Sequence, residues 1–272
     1  MSEIVTIDIQ DHIADVRLNR PEKMNSLNPG MFEAIVDAGQ QLEADKSIRA
    51  IVLSGEGRCF CAGLDLEIFS DQAFLEDPFG KGKGGFWPNF YQQPAFIWKK
   101  MPVPVIAALH GVVYGGGLQI ALGADIRIAD PTVKMSVMEI RWGLIPDMSA
   151  SQTLRDLVRL DIAKELTFTG RVVGGQEAQE IGLITSLSET PRESALEMAS
   201  MITTQNPDAI SSGKYLLENA WHGDSVDGLH LEERLQAKLI KSKNQIEAVM
   251  AGMQKRKPEF GDREINPFDD LE

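Results

Sequence analysis

The stretch Pro104-Val105-Ile106-Ala107-Ala108-Leu109-His110-Gly111-Val112-Val113-Tyr114-Gly115-Gly116-Gly117-Leu118-Gln119 decides the fold. The apolar run from Val103 to Leu109 has strand length and ends at Gly111, the pattern of a short buried strand. Three consecutive glycines then lead into an apolar segment, Leu118 to Leu122, that reads as a helix. Upstream, Ile48 to Ser54 is a second buried strand, ending at Gly55-Glu56-Gly57. It is followed by another glycine-bearing turn, Cys59-Phe60-Cys61-Ala62-Gly63-Leu64-Asp65-Leu66. Downstream, Asp125 to Asp130 alternates as a third strand. Strands alternating with helices predict crossover connections and a mostly parallel sheet, an α/β fold.

Further out, Val5, Ile7 and Ile9 alternate, as do Ala14, Val16 and Leu18, with Gln10-Asp11-His12 between them, so the first 20 residues read as a hairpin. Asn28-Pro29 opens a helix, with Asn able to cap free N–H groups and Pro at a position that loses no hydrogen bond. After about Ser188 the pattern is helical only. Thr190-Pro191-Arg192-Glu193 reads as a capping box, Asp208 as the cap of a second helix, and a third is expected from about Asp224 to Met250. The chain therefore divides into an α/β region, 1–188, and a helical region, 189–272. The segment from Ser70 to Pro94 departs from both, with Gly80, Gly82, Gly84, Gly85 and six aromatics. It reads as a lid over an apolar pocket or as a surface insertion packed on itself.

Composition narrows the function. Of the 272 residues, 43% are apolar and 25% charged, an ordinary globular balance that excludes a disordered or collagen-like chain. Asp and Glu number 40 against 27 Lys and Arg, a net charge of −13, which argues against binding a nucleic-acid backbone. Cys59 and Cys61 are the only cysteines and sit too close together for ordinary disulfide geometry; with four scattered histidines, a structural metal site is not expected. No signal-peptide pattern and no apolar run of spanning length is visible, so the expectation is a cytoplasmic protein without a membrane partner.

Neither glycine turn carries a phosphate-loop or dinucleotide fingerprint. Glycines at a helix start let a backbone approach a ligand closely. Two such turns side by side could aim two N–H groups at one oxygen, the geometry of an oxyanion hole. The plainer alternative is helix–sheet packing that tolerates only glycine.

These turns belong to a longer set of motifs. Leu18-Asn19-Arg20-Pro21, Asn25-Ser26-Leu27, Phe60-Cys61-Ala62-Gly63-Leu64-Asp65, the run from Pro104 to Gly111 with Gly115-Gly116-Gly117, Ala124 to Ala129, and Leu166-Thr167-Phe168-Thr169-Gly170-Arg171 together resemble the crotonase superfamily of enoyl-CoA hydratases and isomerases. The resemblance runs in order from about Ile4 to about Leu187. It implies a spiral of ββα units with a C-terminal helical trimerisation region, and a homotrimer or a pair of trimers. It also implies an acyl-CoA thioester substrate, coenzyme A arriving as part of the substrate, with no separate cofactor. By the same resemblance the N–H groups of Leu64 and Gly116 form the oxyanion hole, and Ala62, Leu64 and Leu66 hold the adenine. Lys23 approaches the CoA phosphates, and Lys255 and Phe260 belong to a tail that closes over the nucleotide. A solvated helix end is the plainer reading of Lys255-Arg256-Lys257.

The carboxylates bear on the reaction. Family hydratases use two glutamates for syn addition of water. Here the first of those positions is Gln119 and the second is Glu139. Gln cannot act as a base, though it can position a water or a substrate. A lone carboxylate suits a Δ3–Δ2 isomerisation, in which Glu139 takes a proton from C2 and returns it to C4, as in family isomerases with one Glu. Asp147 lies eight residues after Glu139, where dienoyl-CoA isomerases of the family also carry an acid. Those enzymes, however, have Asp where this chain has Gln119. Asp147 can also be read as a helix N-cap. The expectation is thus an enoyl-CoA or dienoyl-CoA isomerase with Glu139, Asp147 and Gln119 at its centre. A hydratase is the first alternative, and a non-catalytic CoA- or RNA-binding homologue the second.

Overall fold

The computed structural model describes residues 3–70, 72, 76, 88–265 and 267. Among them the strands are β1 (Val5–Gln10), β2 (Ile13–Leu18), β3 (Ala50–Gly55), β4 (Val105–Leu109), β5 (Val112–Tyr114), β6 (Ile126–Ala129), β7 (Lys134–Ser136), β8 (Val173–Gly174) and β9 (Ser186–Leu187). The hairpin forms as its alternation predicts, β1 running antiparallel to β2 with Val5 opposite Leu18. From β2 onward the main sheet is parallel, in the order β1-β2-β3-β4-β6-β9. A smaller sheet, β5-β7-β8, receives the strands left out of the first.

The helices are α1 (Pro29–Ala44), α2 (Gln93–Lys100), α3 (Gly116–Leu122), α4 (Ala150–Leu157), α5 (Leu160–Thr169), α6 (Gly175–Glu180), α7 (Pro191–Thr203), α8 (Pro207–Ala220), α9 (Ser225–Leu239) and α10 (Lys243–Gln254). The chain runs β4-β5-α3, and again from β6 through β7 to the helices α4 and α5, which gives the expected ββα turns. An isolated bridge between Cys61 and Val113 sets the Cys59–Leu66 turn beside β5 in the same fashion.

Both faces of the main sheet are covered. Ile51, Leu53, Ala107 and Leu109 point into the larger core with Phe32, Trp98 and Leu118. Their alternates Ala50, Val52, Ile106 and Ala108 meet Ala195 and Ala199 of α7 on the other face. This explains why β3 and β4 read as unbroken apolar runs. It also means that α7, although beyond residue 188, packs on the sheet. Farther along, α9 packs on α8 through Tyr215, Leu231 and Leu235. Lys214 ties α8 to the α/β body, donating to Asp125 at 2.7 Å and to the carbonyls of Trp98 and Val103 at 3.2 Å each.

Several local expectations hold and others shift. Asn28 caps α1 by accepting from the Met31 N–H at 2.9 Å. Thr190 makes no capping bond. Ser188 Oγ instead accepts from the Thr190 N–H and meets Ser194 Oγ. The cap of α8 is Asn206 rather than Asp208, because Asp208 lies inside the helix and is buried. It accepts there from Asn244 and from the Glu264 and Ile265 N–H groups. The single helix expected from Asp224 to Met250 breaks at Lys241, whose φ of 69° leaves the helical region, and restarts under a Ser242 cap. Within the Ser70–Pro94 segment, 71, 73–75 and 77–87 lie outside the described residues, and with them the bulk of the expected lid.

Candidate active site

The two glycine turns are pressed together. The Phe60 N–H donates to His110 O at 2.9 Å, Cys61 N–H to Val112 O at 3.2 Å, and Tyr114 N–H to Cys61 O at 3.1 Å. A Cβ on Gly117 would lie 2.7 Å from both Cβ and Sγ of Cys61, and one on Gly63, at φ 91°, would lie 2.7 Å from Tyr114 O. Close packing therefore does require glycine at these positions, as the plainer reading held. It also leaves two donors over. Leu27 and Leu64 pair as an isolated bridge in which Leu27 donates to Gly63 O and accepts from the Asp65 N–H, so the Leu64 N–H is not used. Gly116 opens α3 and has no carbonyl one turn back to bond. Among the described residues, neither N–H has a hydrogen-bond partner.

Both residues line a pocket of about 610 Å³. Ala62, Leu66, Gln119, Glu139 and Asp147 line it too, with an apolar wall that includes Phe32, Tyr91, Met138, Trp142, Leu144 and Met148. Glu139 opens a 3-10 turn, Glu139–Trp142, that follows β7 closely, and its carboxylate is buried. Gln119 Nε2 donates to Glu139 Oε1 at 2.6 Å. The Gln119 carbonyl oxygen accepts from the Met148 N–H at 2.7 Å and the Ala150 N–H at 3.3 Å, which fixes which end of the amide faces Glu139. Glu139 Oε2 is buried with no partner among the described residues. Burial pushes the Glu139 carboxyl above the ordinary carboxylate range, and the charge of Asp147 adds to the rise. The Gln119 hydrogen bond and nearby backbone N–H groups hold it partly down.

Asp147 does not cap α4. Ser149 occupies that position in a left-handed conformation, φ 71°, without a side-chain bond. Asp147 borders the pocket instead, and although its surface reaches solvent, the surrounding wall displaces enough water to raise its carboxyl as well.

Lys23 stands at the rim, its Nζ 3.2 Å from Glu67, itself a pocket residue. Within the chain Lys255 and Phe260 are not brought to this pocket. Lys255 terminates α10 with φ 54°, and Phe260 lines a separate hollow between α8 and α10, its carbonyl accepting from Arg49 at 2.7 Å. His110, just before the second glycine turn, places its Nε2 3.0 Å from Gly57 O on the exposed side. Arg20 was absent from the candidate residues, yet it pairs with Asp65 at 2.8 Å and holds that turn at the mouth. Its only sequence signal was its place in the Leu18–Pro21 motif. Both cysteines are buried, and burial lifts the Cys61 thiol to about 12, so it is an inert packing group. Among the described residues no group of three His, Cys, Asp or Glu side chains could hold a metal ion, and no helix is long and apolar enough to cross a membrane.

Residues 8–263 match the sequence model of the family described as enoyl-CoA hydratase/isomerase. This chain belongs to that family. Among curated relatives, the mitochondrial methylglutaconyl-CoA hydratase of Homo sapiens is 33% identical over 250 residues, which cover 89% of this chain and 72% of that protein. The mitochondrial enoyl-CoA hydratase domain-containing protein 2 of Mus musculus is 32% identical over 258 residues, covering 91% and 84%. Among solved structures, the enoyl-CoA hydratase of Bacillus anthracis superposes with a TM-score of 0.86 at 28% identity, over 94% of this chain and 98% of that one. The ββα spiral is thus the crotonase fold of the enoyl-CoA hydratase/isomerase family, whose members act on acyl-CoA thioesters. The pocket lies where two of the spiral's turns meet, between β3 and α3.

Proposed function

We propose that the protein is an enoyl-CoA isomerase in which Glu139 alone carries the proton. The observation that carries this reading is the unequal state of the two Glu139 oxygens: Oε1 is held by Gln119, whereas Oε2 is buried beside the pocket with no partner among the described residues. A Δ3–Δ2 shift needs one base that can give back what it takes. Glu139 breaks the C2–H bond of a 3-enoyl thioester. The electron pair moves onto the thioester oxygen, and the dienolate is reprotonated at C4 by the same carboxyl group. The Leu64 and Gly116 N–H groups are available to receive the developing oxyanion, a contribution worth about 10²–10³ in rate per donor in comparable sites. Gln119 supports this reading because both ends of its amide are occupied within the protein, which suits it to orienting Glu139 rather than to activating a water. Ala62, Leu64 and Leu66 with Lys23 hold the CoA portion at the pocket mouth.

Asp147 supports a second reading, since it brings another carboxylate to the same pocket, and relatives carry hydratase names. With Asp147 as partner to Glu139, a dienoyl shift or a hydration becomes chemically possible. Product identity distinguishes them. Purified protein given a 3-enoyl-CoA should form the 2-enoyl-CoA first; a 3-hydroxyacyl-CoA as the first product, or rapid hydration of a 2-enoyl-CoA, contradicts the isomerase. The assembly proposed with this activity is a homotrimer or a pair of trimers.

A further inference from the structure

The two proposed oxyanion donors are held in place by different means. Gly116 opens α3, so the helix fixes its N–H. Leu64 lies in an irregular turn directly after Gly63, whose φ of 91° only glycine adopts readily. The Leu64 N–H shares a peptide unit with the Gly63 carbonyl, and in a trans peptide the two point to opposite sides. That carbonyl accepts from the Leu27 N–H at 2.8 Å, so the Leu64 N–H is turned away from Leu27. The Leu27 N–H in turn shares a peptide unit with the Ser26 carbonyl, which accepts from Arg20 Nη1 at 3.2 Å. One line of hydrogen bonds therefore runs from a guanidinium through two peptide units to the Leu64 N–H. The guanidinium is itself anchored. The same Nη1 lies 3.2 Å from Ser26 Oγ and 2.8 Å from Asp65 Oδ2, and Ser26 Oγ donates to Asp65 at 3.2 Å. Both partners are shielded, with the side chains of Arg20 and Asp65 only 14% and 11% exposed. Burial pushes the Asp65 carboxyl up, but hydrogen bonds from Arg20, the Glu67 N–H and Ser26 outweigh it and hold it below the ordinary carboxylate range.

We infer that Arg20 is a positioning residue for the oxyanion hole, which orients and polarises the Leu64 N–H through the Ser26 and Gly63 peptide units. This rests on the oxyanion hole proposed above and adds to it a residue that acts through other groups. Orientation comes from the clamp. Arg20 ties Ser26 to Asp65, the neighbours of the paired Leu27 and Leu64, so neither peptide plane can turn freely. Polarisation comes from the cation. Its pull on the Ser26 carbonyl makes the Leu27 N–H a stronger donor, and that bond does the same for Leu64. Hydrogen bonds in series strengthen one another by about 10–30% each in a site of low dielectric. Asp65 tempers the charge while it anchors the guanidinium. Leu27 also reaches the second donor, since a Cβ on Gly116 would lie 2.8 Å from Leu27 Cδ1. The residue whose N–H directs Leu64 thus abuts Gly116 as well.

The test reads the thioester carbonyl directly, so it does not depend on which reaction the enzyme performs. Hexanoyl-CoA carrying ¹³C at its thioester carbon is bound to the protein. The infrared difference from unlabelled ligand isolates the carbonyl band, which moves to lower frequency as hydrogen bonds to the oxygen strengthen. The wild-type band should lie below its solution position. In Arg20→Met it should return about halfway to that position. On the enoyl-CoA that the wild type turns over, kcat should fall about tenfold with KM changed less than about threefold, because one donor is weakened rather than lost. Arg20→Lys, which can still set a cation on the Ser26 carbonyl, should recover most of both. S-hexyl-CoA, a thioether without the carbonyl, should bind wild type and Arg20→Met within about threefold of each other. An Arg20→Met band at the wild-type position overturns the inference and leaves the oxyanion hole standing, and so does a loss of thioether affinity equal to that of the thioester. A wild-type band at the solution position removes the oxyanion hole itself and the inference with it. If Arg20→Met does not fold, Asp65→Asn decides. There the cation keeps the Ser26 carbonyl but loses its counter-charge, so the band should lie below the wild-type position, and a band at or above it overturns the inference.

Discussion

At Glu139 the same burial that suits a proton carrier also works against folding. A carboxyl whose folded pKa is raised binds its proton more tightly in the native state than in the unfolded chain. Its native state is therefore favoured at low pH, and stability is lost as pH rises from the ordinary carboxylate range through the raised folded value. Glu139→Gln removes that penalty and keeps an oxygen for Gln119 to donate to. The variant should lose activity and gain about 2–3 °C in Tm at pH 7.5, a gain that shrinks toward pH 4. Calorimetric scans at the two pH values check this, and an equal gain at both would contradict it. Gln119→Leu tests the orienting bond. It removes a donor that favours the charged form of Glu139, so the acid limb of the kcat/KM profile should move to higher pH. It also leaves the buried Met148 and Ala150 N–H groups without their acceptor, at a cost of about 1–3 kcal/mol each in denaturant unfolding. An unmoved limb would mean that Gln119 does not bear on Glu139.

Among the elements, α3 and the Cys59–Leu66 turn set the site, and glycine makes their contact possible. In Gly117→Ala the new methyl would sit 2.7 Å from Cys61 and 2.8 Å from its backbone oxygen, in a core that cannot yield on that side. Destabilisation of about 2–3 kcal/mol is expected in equilibrium unfolding, with loss of activity as the two turns separate. A variant of native stability and activity would show that the turns are not locked. This level is where the sequence was most legible. The apolar runs of β3 and β4, the β1–β2 alternation and the Asn28 cap are local signals, and each formed within a residue or two of its expected place. Glu139, Gln119 and Asp147 were identified by resemblance, and they do meet in one pocket. What the sequence could not carry was pairing over distance. Asp208 reads as a cap because Asp commonly caps, but its partners Asn244, Glu264 and Ile265 come from the far end of the chain. The grip of the Met148 and Ala150 N–H groups on the Gln119 carbonyl is likewise invisible before the loop is folded over α3.

At the scale of the whole molecule, two faces remain to be accounted for. The C-terminal helices expose Leu217, Trp221, Leu229 and Met253, each more than half accessible in the single chain. Apolar groups this open, on the region proposed for trimerisation, are expected to be covered by other copies. Sedimentation equilibrium should give three or six times the chain mass, and a monomer would contradict the proposed assembly. The second face is the pocket, lined by one buried, half-engaged carboxylate and by two N–H groups that have no partner among the described residues. The most direct test follows 3-hexenoyl-CoA in D₂O by NMR and mass spectrometry, with wild-type protein and Glu139→Gln side by side. The account predicts 2-hexenoyl-CoA as the first product of the wild type and a fall in turnover of about 1,000-fold or more in the variant. A 3-hydroxyacyl-CoA formed first, or a variant that turns over near the wild-type rate, would contradict it.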